Sequence, residues 1–260
     1  MQPDVPAGRV LLAGAGPGPA DLLTLRAVRA IEGAQALLYD ALVSDEVLAL
    51  APRACTRIQT GKRAGRASMD QATINRLMLR LARRGLTVVR LKGGDPSVFG
   101  RVGEEQDFLR GHGIETEIVP GVTAACAAAA QFNFPLTHRG LARQIIFATA
   151  RTLDGQLHLE AQAGSAETTL ALYMARDSVG PLFQRLVAQG RDPRTPAAAI
   201  EHAGAAQARL IRGTLASLPD ALAQAAPEGP VLIVVGEVAA RARQIQAPAG
   251  AIANPAQAEV

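Results

Sequence analysis

The chain has 260 residues, of which 48% are hydrophobic and 19% charged, which excludes an intrinsically disordered protein and allows one large domain or two smaller ones. The formal net charge is +4, but only 3% of residues are aromatic, which argues against nucleic acid as a partner and favours an acidic small molecule. No apolar run reaches the roughly 18 residues that span a membrane, no signal-peptide pattern begins the chain, and the cysteines, Cys55 and Cys126, have no metal-ligand spacing, so a cytoplasmic protein without a metal is expected.

Short apolar runs alternate with amphipathic stretches through the first half of the chain. The apolar runs predict strands at Val10–Ala13, Ala36–Tyr39, Thr56–Gln59, Val88–Leu91 and Glu117–Val119. The amphipathic stretches predict helices at Leu22–Gly33, Asp45–Leu50, Gln71–Arg84, Gly103–His112 and Thr123–Gln131. Such alternation is typical of an α/β domain with a largely parallel sheet.

The alternation resumes after the segment NFPLTHRGLAR, now with closer, hairpin-like spacing that favours a mixed sheet. Strands are predicted at Gln144–Thr149, Thr169–Tyr173, Ala197–Ile200, Ala208–Gly213 and Val231–Gly236. Helices are predicted at Val179–Gln189 and Leu215–Ala226. We therefore predict two α/β domains, at residues 1–136 and 137–245. Residues 246–260 are rich in alanine and proline without apolar periodicity, which predicts a disordered tail.

The loop after the first predicted strand partly matches a dinucleotide-binding fingerprint. Gly14 and Gly16 occupy the first two glycine positions of G-x-G-x-x-G, and Asp40 ends the second strand where a ribose acid is expected. The third glycine position is Pro19, and both Pro17 and Pro19 lack the amide that would bind a pyrophosphate. A nicotinamide-dependent dehydrogenase is therefore a weak alternative.

Polar loops follow three more strands of the same predicted sheet. Asp40 follows the second strand, as a ligand-binding residue or as a helix N-cap, and Lys62 follows the third. After the fourth strand, Gly93 and Gly94 offer bare backbone, and Asp95 can accept from a pair of hydroxyl groups. The carboxyl ends of parallel strands meet at one edge of a sheet, so these loops predict one shared site.

The same fourth loop carries apolar and charged side chains. Val98 and Phe99 supply an apolar wall, and Arg101 and Glu104 supply charge. Of the 27 basic residues other than histidine, only Lys62 and Lys92 are lysines. The bias is explained by a GC-rich genome, or it marks two positions where a compact ammonium group is needed. The histidines are not spaced as metal ligands, and no nucleophile motif of a hydrolase is present.

Several stretches resemble one family in order and spacing. They are VLLAGAGPGPADLLTLRA, YDALVS, GKRAG, VVRLKGGDPSVFGRVGEE, VPGVTAA, PLTHRG and VLIVVGEV. They are similar to the uroporphyrinogen-III C-methyltransferases, which belong to the tetrapyrrole methylases, and the similarity extends over residues 9–241. The motif GGDP alone indicates only a tetrapyrrole methylase. The motifs YDALVS, GKRAG and PLTHRG together indicate the uroporphyrinogen-III C-methyltransferases among them.

The resemblance implies a two-domain tetrapyrrole methylase fold with S-adenosylmethionine in the cleft between the domains, in a homodimer. It implies methylation of uroporphyrinogen III at C2 and C7 to give precorrin-2, for sirohaem, cobalamin or haem d1. A methylase of a later precorrin or corrin intermediate is the alternative, disfavoured by YDALVS and PLTHRG. The positions that match cofactor contacts are Pro17, Gly93, Gly94, Asp95, Val98, Thr123, Ala124, Met174 and Ala203.

The resemblance also implies catalytic and substrate-binding residues. Asp40 and Lys62 match positions of a proton acceptor and a proton donor. Arg101, Glu104 and Arg139 match substrate-binding positions, and Arg101 is a competing candidate for the base. Arginine suits a substrate with many carboxylates, because its guanidinium binds them through paired hydrogen bonds.

The chain departs from the family pattern at three positions. Val102 stands where the family has glycine, Ala67 where many members have histidine, and Arg151 where histidine is usual. None of these positions lies in the GGDP loop, so the departures bear on substrate binding more than on the type of reaction.

Overall fold

The computed structural model describes residues 7–61, 69–150 and 165–244, and these residues form two five-stranded sheets. The strands of the first sheet are β1 (Arg9–Gly14), β2 (Ala36–Tyr39), β3 (Thr56–Gln59), β4 (Val88–Lys92) and β5 (Glu115–Val119). Their order is β3-β2-β4-β1-β5, and each pairing is parallel. The predicted parallel sheet is therefore confirmed.

Four helices among the described residues cover the two faces of this sheet: α1 (Leu25–Glu32), α2 (Asp45–Ala49), α3 (Gln71–Ala82) and α4 (Val102–Arg110). The first two pack on the face that presents Leu11, and the last two on the face that presents Val10. Alternate residues of a strand point to opposite faces of the sheet. Because helices cover both faces here, apolar residues lie on both faces of these parallel strands. Helix α1 begins at Leu25 rather than at the predicted Leu22, because residues 20–22 form a separate 3-10 turn.

The second sheet is mixed, as predicted. Its strands are β6 (Gln144–Thr149), β7 (Thr168–Tyr173), β8 (Pro196–Glu201), β9 (Arg209–Thr214) and β10 (Val231–Val235). The order is β6-β7-β10-β8-β9, in which β6 and β7 are parallel and the other pairs are antiparallel. Two helices, α6 (Val179–Ala188) and α7 (Leu218–Ala225), pack on one face.

Helix α5 (Ala124–Gln131) joins the two halves of the molecule. It follows the last strand of the first sheet, yet its buried alanines share a core with Phe132, Phe134 and the second sheet. Six of its eight residues are alanines, whose small side chains allow other surfaces to come close. The boundary at residue 136 remains a prediction, while the packing groups α5 with the second sheet.

The connections of the first sheet leave a crevice at its carboxyl edge. The chain leaves β1 in one direction across the sheet and leaves β4 in the opposite direction. Right-handed crossovers place such connections on opposite faces, as the packing of α1 and α4 shows. The loops after β1 and β4 therefore diverge, and open α/β sheets bind ligands at such a point. In the described segments, no helix is both long and apolar enough to cross a membrane.

Candidate functional site

Glycines bring three loops of the first sheet into backbone contact. Gly16 and Gly94 exchange two hydrogen bonds, with N···O distances of 3.2 and 2.7 Å. A Cβ atom at Gly14 would lie 2.7 Å from the Gly94 oxygen and 2.6 Å from the Gly121 Cα atom. The loops after β1, β4 and β5 can therefore meet only where side chains are absent, which accounts for the glycines of the sequence motifs.

Asp95 connects the loop after β4 with the loop after β5. Its Oδ1 atom accepts from the Ser97 amide at 2.8 Å, and its Oδ2 atom accepts from the Gly121 amide at 2.9 Å. Each carboxylate oxygen can accept a further hydrogen bond. Asp95 therefore holds the loops together and keeps acceptor capacity for a ligand hydroxyl group, and the latter role remains a prediction.

Asp40 links the loop after β2 to the glycine loop. Its Oδ1 atom accepts from the Leu42 amide at 2.9 Å, and its Oδ2 atom accepts from the Gly93 amide at 3.1 Å. The alternative reading of Asp40 as the cap of the next helix is wrong, because the Ser44 hydroxyl caps α2. The structure thus brings Asp40 and Gly93 together, although 53 positions separate them in the chain.

Tyr173, at the end of β7, connects the second sheet to this site. Its hydroxyl group lies 2.6 Å from the Thr123 Oγ1 atom and accepts from the Ala125 amide at 3.2 Å. Its ring packs against Phe99 with the ring centroids 5.1 Å apart. Met174 follows directly and is 45% exposed, so the predicted residues Thr123 and Met174 lie on either side of one tyrosine.

The turn after β8 packs against the loop after β1. Gln131 accepts from the Gly204 amide and donates to the Ala205 oxygen, both at 2.8 Å. A Cβ atom at Gly204 would lie 2.5 Å from the Pro17 Cγ atom. Ala203, which precedes this glycine, is buried. Pro17 and Ala203, predicted from distant stretches, therefore lie at one junction between the sheets.

Unfavourable backbone conformations are concentrated around the same crevice. Among the described residues, six other than glycine have a positive φ, and four of them lie in these loops: Phe99 (55°), Arg101 (58°), Met174 (54°) and His202 (51°). Each costs on the order of 1–3 kcal/mol, and such residues cluster at functional sites. The clustering marks the crevice as a site independently of the sequence motifs.

The predicted substrate-binding side chains lie at the exposed rim. Arg101 and Glu104 form a two-pronged ion pair, with Nε–Oε1 at 2.9 Å and Nη2–Oε2 at 2.7 Å. The Arg101 guanidinium lowers the pKa of the Glu104 carboxyl group. Arg139 is exposed in the turn between His138 and Ala142. A carboxylate ligand would therefore compete with Glu104 for Arg101.

Some of the remaining predicted residues lie in the part of the chain that the structure describes, and others do not. Val98 is half-buried beside Phe99, and Ala124 begins α5. Lys62 lies outside the described residues, as do Ala67 and Arg151. Three side chains that hold the site together were not predicted from the sequence to belong to it: Tyr173, Gln131 and Glu105.

The described part of the site does not have the dinucleotide-binding arrangement. The loop after β1 does not open into a helix, because the 3-10 turn intervenes. The Thr24 hydroxyl caps α1 by accepting from the Ala27 amide, and it donates to the Pro120 oxygen, both at 3.1 Å. The Thr24 hydroxyl thus already occupies an amide of the α1 N-terminus, and Pro17 and Pro19 offer no amide to a pyrophosphate.

The chain is similar to known proteins over most of its length. Residues 9–219 match the family model of the Tetrapyrrole (Corrin/Porphyrin) Methylases. The chain is 46% identical over 233 residues to the siroheme synthase of Chromobacterium violaceum, covering 89% of this chain and 50% of that protein. It is also 46% identical over 240 residues to the siroheme synthase of Tolumonas auensis, covering 92% of this chain and 51% of that protein. The chain spans about half the length of these curated relatives.

Two solved structures share the fold over most of both chains. The uroporphyrin-III C-methyl transferase of Thermus thermophilus, complexed with S-adenosyl homocysteine, is 39% identical with a TM-score of 0.76 and covers 89% of this chain and 93% of its own. A cobalt precorrin-4 methyltransferase is 28% identical with a TM-score of 0.79 and covers 88% of this chain and 94% of its own. The predicted fold class is therefore confirmed.

Proposed function

The chain belongs to the tetrapyrrole (corrin/porphyrin) methylases, and from that premise we propose that it transfers methyl groups from S-adenosylmethionine to C2 and C7 of uroporphyrinogen III, giving precorrin-2. One observation carries the proposal. The bare Gly93–Gly94 backbone lies in a crevice where the loops of the first sheet meet Thr123 and the end of β7. A relative 39% identical to this chain has been solved with S-adenosyl homocysteine.

The residues present fit S-adenosylmethionine. No side chain stands at Gly93 or Gly94, and a Cβ atom at Gly93 would lie 3.0 Å from the Leu42 Cβ atom, so a larger residue there would collide with Leu42. Asp95 keeps acceptor capacity for hydroxyl groups. When bound, the cofactor supplies an electrophilic methyl group. The residues that would hold it are Pro17, Gly93, Gly94, Asp95, Val98, Thr123, Ala124, Met174 and Ala203.

Asp40 is suited to handling the positive charge that forms on a pyrrole ring when its carbon attacks the methyl group. Two backbone amides fix both of its carboxylate oxygens, so the charge is oriented before the reaction. A fixed carboxylate stabilises the developing cation and can accept the proton that the ring later loses. Lys62 and Arg101 are the other candidates for proton transfer.

The rim fits an anionic macrocycle with an apolar centre. Uroporphyrinogen III carries eight carboxylates on a tetrapyrrole ring. Arg101 and Arg139 are exposed and can each bind a carboxylate through paired hydrogen bonds. Leu42 and Phe99 are 57% and 37% exposed, which leaves apolar surface beside Asp40 and Arg101 for the ring.

Methyl transfer measured with purified protein tests the proposal. Radiolabelled S-adenosylmethionine is mixed with enzymatically prepared uroporphyrinogen III, and the product is analysed by mass. We expect two methyl groups per macrocycle. Parallel reactions with precorrin-2 and with a later cobalt precorrin test the alternative substrates. Transfer only to one of those, or to none, would contradict the proposal.

Four further properties are proposed. We propose from the resemblance that the protein acts as a homodimer with the tetrapyrrole as its partner, and from its cysteine content and composition that it acts in the cytoplasm and without nucleic acid. Light scattering of the purified protein tests the dimer. A mass of one chain, 27.0 kDa, at micromolar concentration would contradict it.

A further inference from the structure

Glu105 is a fully buried charge directly behind the candidate site. Its side chain is 0% exposed, and its Oε2 atom lies 2.8 Å from the Lys92 ammonium group. Its Oε1 atom accepts from Gln71 at 3.0 Å and lies 3.4 Å from the Arg90 Nε atom. Lys92 and Arg90 are themselves 5% and 6% exposed. Apolar residues in place of a buried ion pair are often as stable or more so, so stability alone does not explain this cluster.

The partners of Glu105 come from the ends of the segments that form the site. Lys92 is the last residue of β4 and directly precedes Gly93. Glu105 lies in the first turn of α4, directly after Glu104. The two ends of the segment at residues 93–104, which comprises the loop after β4 and the first three residues of α4, are thus joined in the interior. Gln71, the first residue of α3, adds a third segment to the same carboxylate.

The loop also rests on the stem of the Lys92 side chain. A Cβ atom at Gly100 would lie 3.1 Å from the Lys92 Cε atom and 2.4 Å from the Pro96 oxygen. On either side of this glycine, Phe99 and Arg101 have φ values of 55° and 58°. Backbone strain of this kind persists only where the surroundings hold it in place. The pair at the loop ends supplies such a constraint.

We propose that the Lys92–Glu105 ion pair is a clasp that closes the segment at residues 93–104 and so fixes the Gly93–Gly94 backbone and Arg101 in the geometry that binds the ligands. The ligand identities rest on the proposed function, whereas the clasp itself rests on the contacts above. Lysine fits this place because its unbranched stem passes under Gly100 and its compact ammonium reaches one carboxylate oxygen. Burial lowers the pKa of Lys92, and the Glu105 carboxylate opposes that shift.

Substitution of each member tests the clasp. Lys92→Met keeps an unbranched stem under Gly100 and leaves Glu105 paired with Arg90, so this variant is expected to fold. Glu105→Gln removes the charge from the other side, and the double variant completes a cycle that measures coupling between the two positions. Asp107→Asn is the control, because it removes an exposed carboxylate from the same helix.

The first measurement needs no ligand. Amide hydrogen exchange of residues 93–104 reports local opening, while the amides of β1 and β4 report the stability of the sheet. We expect exchange of the loop amides in Lys92→Met to be about tenfold faster or more, with the strand amides as protected as in the wild type. Asp107→Asn should leave the exchange rates of the loop amides and of the strand amides unchanged.

The second measurement is calorimetric binding of S-adenosylhomocysteine. If the closed loop is populated about tenfold less, the dissociation constant rises about tenfold. At saturating S-adenosylmethionine, turnover by Lys92→Met should stay within about threefold of wild type, because the change lies in loop closure and not in chemistry. The double variant should bind S-adenosylhomocysteine at least as tightly as whichever single variant has the higher dissociation constant.

The outcomes separate the clasp from the proposed function. A folded Lys92→Met with wild-type loop exchange and wild-type affinity overturns the clasp. Wild-type protein that does not bind S-adenosylhomocysteine overturns the proposed function, and loop exchange still decides the clasp. If Glu105→Gln does not fold, Lys92→Met carries the test alone, and equal losses of protection in loop and strands would show a structural role only.

Discussion

At the scale of single residues, carboxylates organise the described part of the site. Asp40 and Asp95 each accept two backbone amides and so join loops from different strands. Glu105 joins the ends of one loop from the interior. Amide donors hold the Asp40 and Asp95 carboxylates in one orientation, so each of these two residues can position backbone and also face a ligand, whereas Glu105 is buried and acts only on the loop.

Asp95→Ala is expected to weaken cofactor binding while the fold persists. The change removes the predicted acceptor for the ribose hydroxyl groups of the cofactor, which leaves polar groups unpaired in the complex at a cost of roughly 1–3 kcal/mol. We expect calorimetry to show S-adenosylhomocysteine binding weakened by about tenfold or more, since 1.4 kcal/mol corresponds to a factor of ten. Asp107→Ala serves as the exposed control, and wild-type affinity in Asp95→Ala would refute the assignment.

Lys62→Arg tests whether the rare lysine transfers a proton. Arginine keeps the charge but does not release a proton at any working pH. A proton-transfer role predicts a loss of about 10²–10⁴ in the methyl-transfer step with cofactor binding intact. If Lys62 instead pairs with a carboxylate, the rate of the methyl-transfer step should fall about tenfold or less, which corresponds to about 1.4 kcal/mol in the activation free energy. Single-turnover methylation at near wild-type rate would leave Asp40 or Arg101 as the proton-handling residue.

At the scale of elements, helix α5 is capped from the other sheet. Its N-cap residue, Thr123, makes no side-chain capping bond. Instead, the Tyr173 hydroxyl accepts from the Ala125 amide and binds the Thr123 hydroxyl. The helix that carries two predicted cofactor contacts, Thr123 and Ala124, is therefore positioned by strand β7.

Tyr173→Phe is expected to loosen the start of α5 without removing the ring that packs on Phe99. The loss of the hydroxyl leaves the Ala125 amide unpaired, at roughly 1–3 kcal/mol. We expect a lower free energy of unfolding in urea and weaker binding of S-adenosylhomocysteine. Tyr39→Phe, at the other of the two tyrosines in the chain, is the control. Unchanged binding in a less stable Tyr173→Phe would limit this residue to a structural role.

At the scale of the whole molecule, the two halves meet through small residues. Gly204 fits against the Pro17 ring and near Ala127, and Gln131 holds the turn that contains it. Tyr173 forms a second contact across the same junction. A site built from both sheets depends on this close approach, because its predicted residues come from both.

Gly204→Ala is expected to push the halves apart. The added methyl group would lie 2.5 Å from the Pro17 Cγ atom, and the glycine has a φ of +92°. Overpacking of this kind costs typically about 1–3 kcal/mol. We expect a lower thermal midpoint and weaker cofactor binding. Gly180→Ala in α6, where no neighbouring atom lies within 4 Å, should be neutral or stabilising. Equal behaviour of the two variants would contradict the packing argument.

The sequence by itself determined the elements and the type of each sheet. Apolar periodicity is a local property, so it predicted the strands and helices to within a few residues and the parallel and mixed sheets. The glycines after β1 and β4 could also be interpreted locally, because only close backbone approach requires so many. The loops after the strands indicated several site residues, and the family resemblance assigned roles to them and added others; these roles remain proposals for this chain.

Only the tertiary structure decided which groups meet. The Asp40 carboxylate binds an amide 53 positions away, and Tyr173 binds a hydroxyl 50 positions away. Helix α5 follows the first sheet in the chain but packs on the second. The predicted fourth strand ended at Leu91 and left Lys92 in the following loop, whereas Lys92 is the last residue of β4 and is buried against Glu105. Periodicity specifies which face of a helix or strand is apolar, but it does not specify which other element packs on that face. Contacts between residues far apart in the chain form only when the whole core packs.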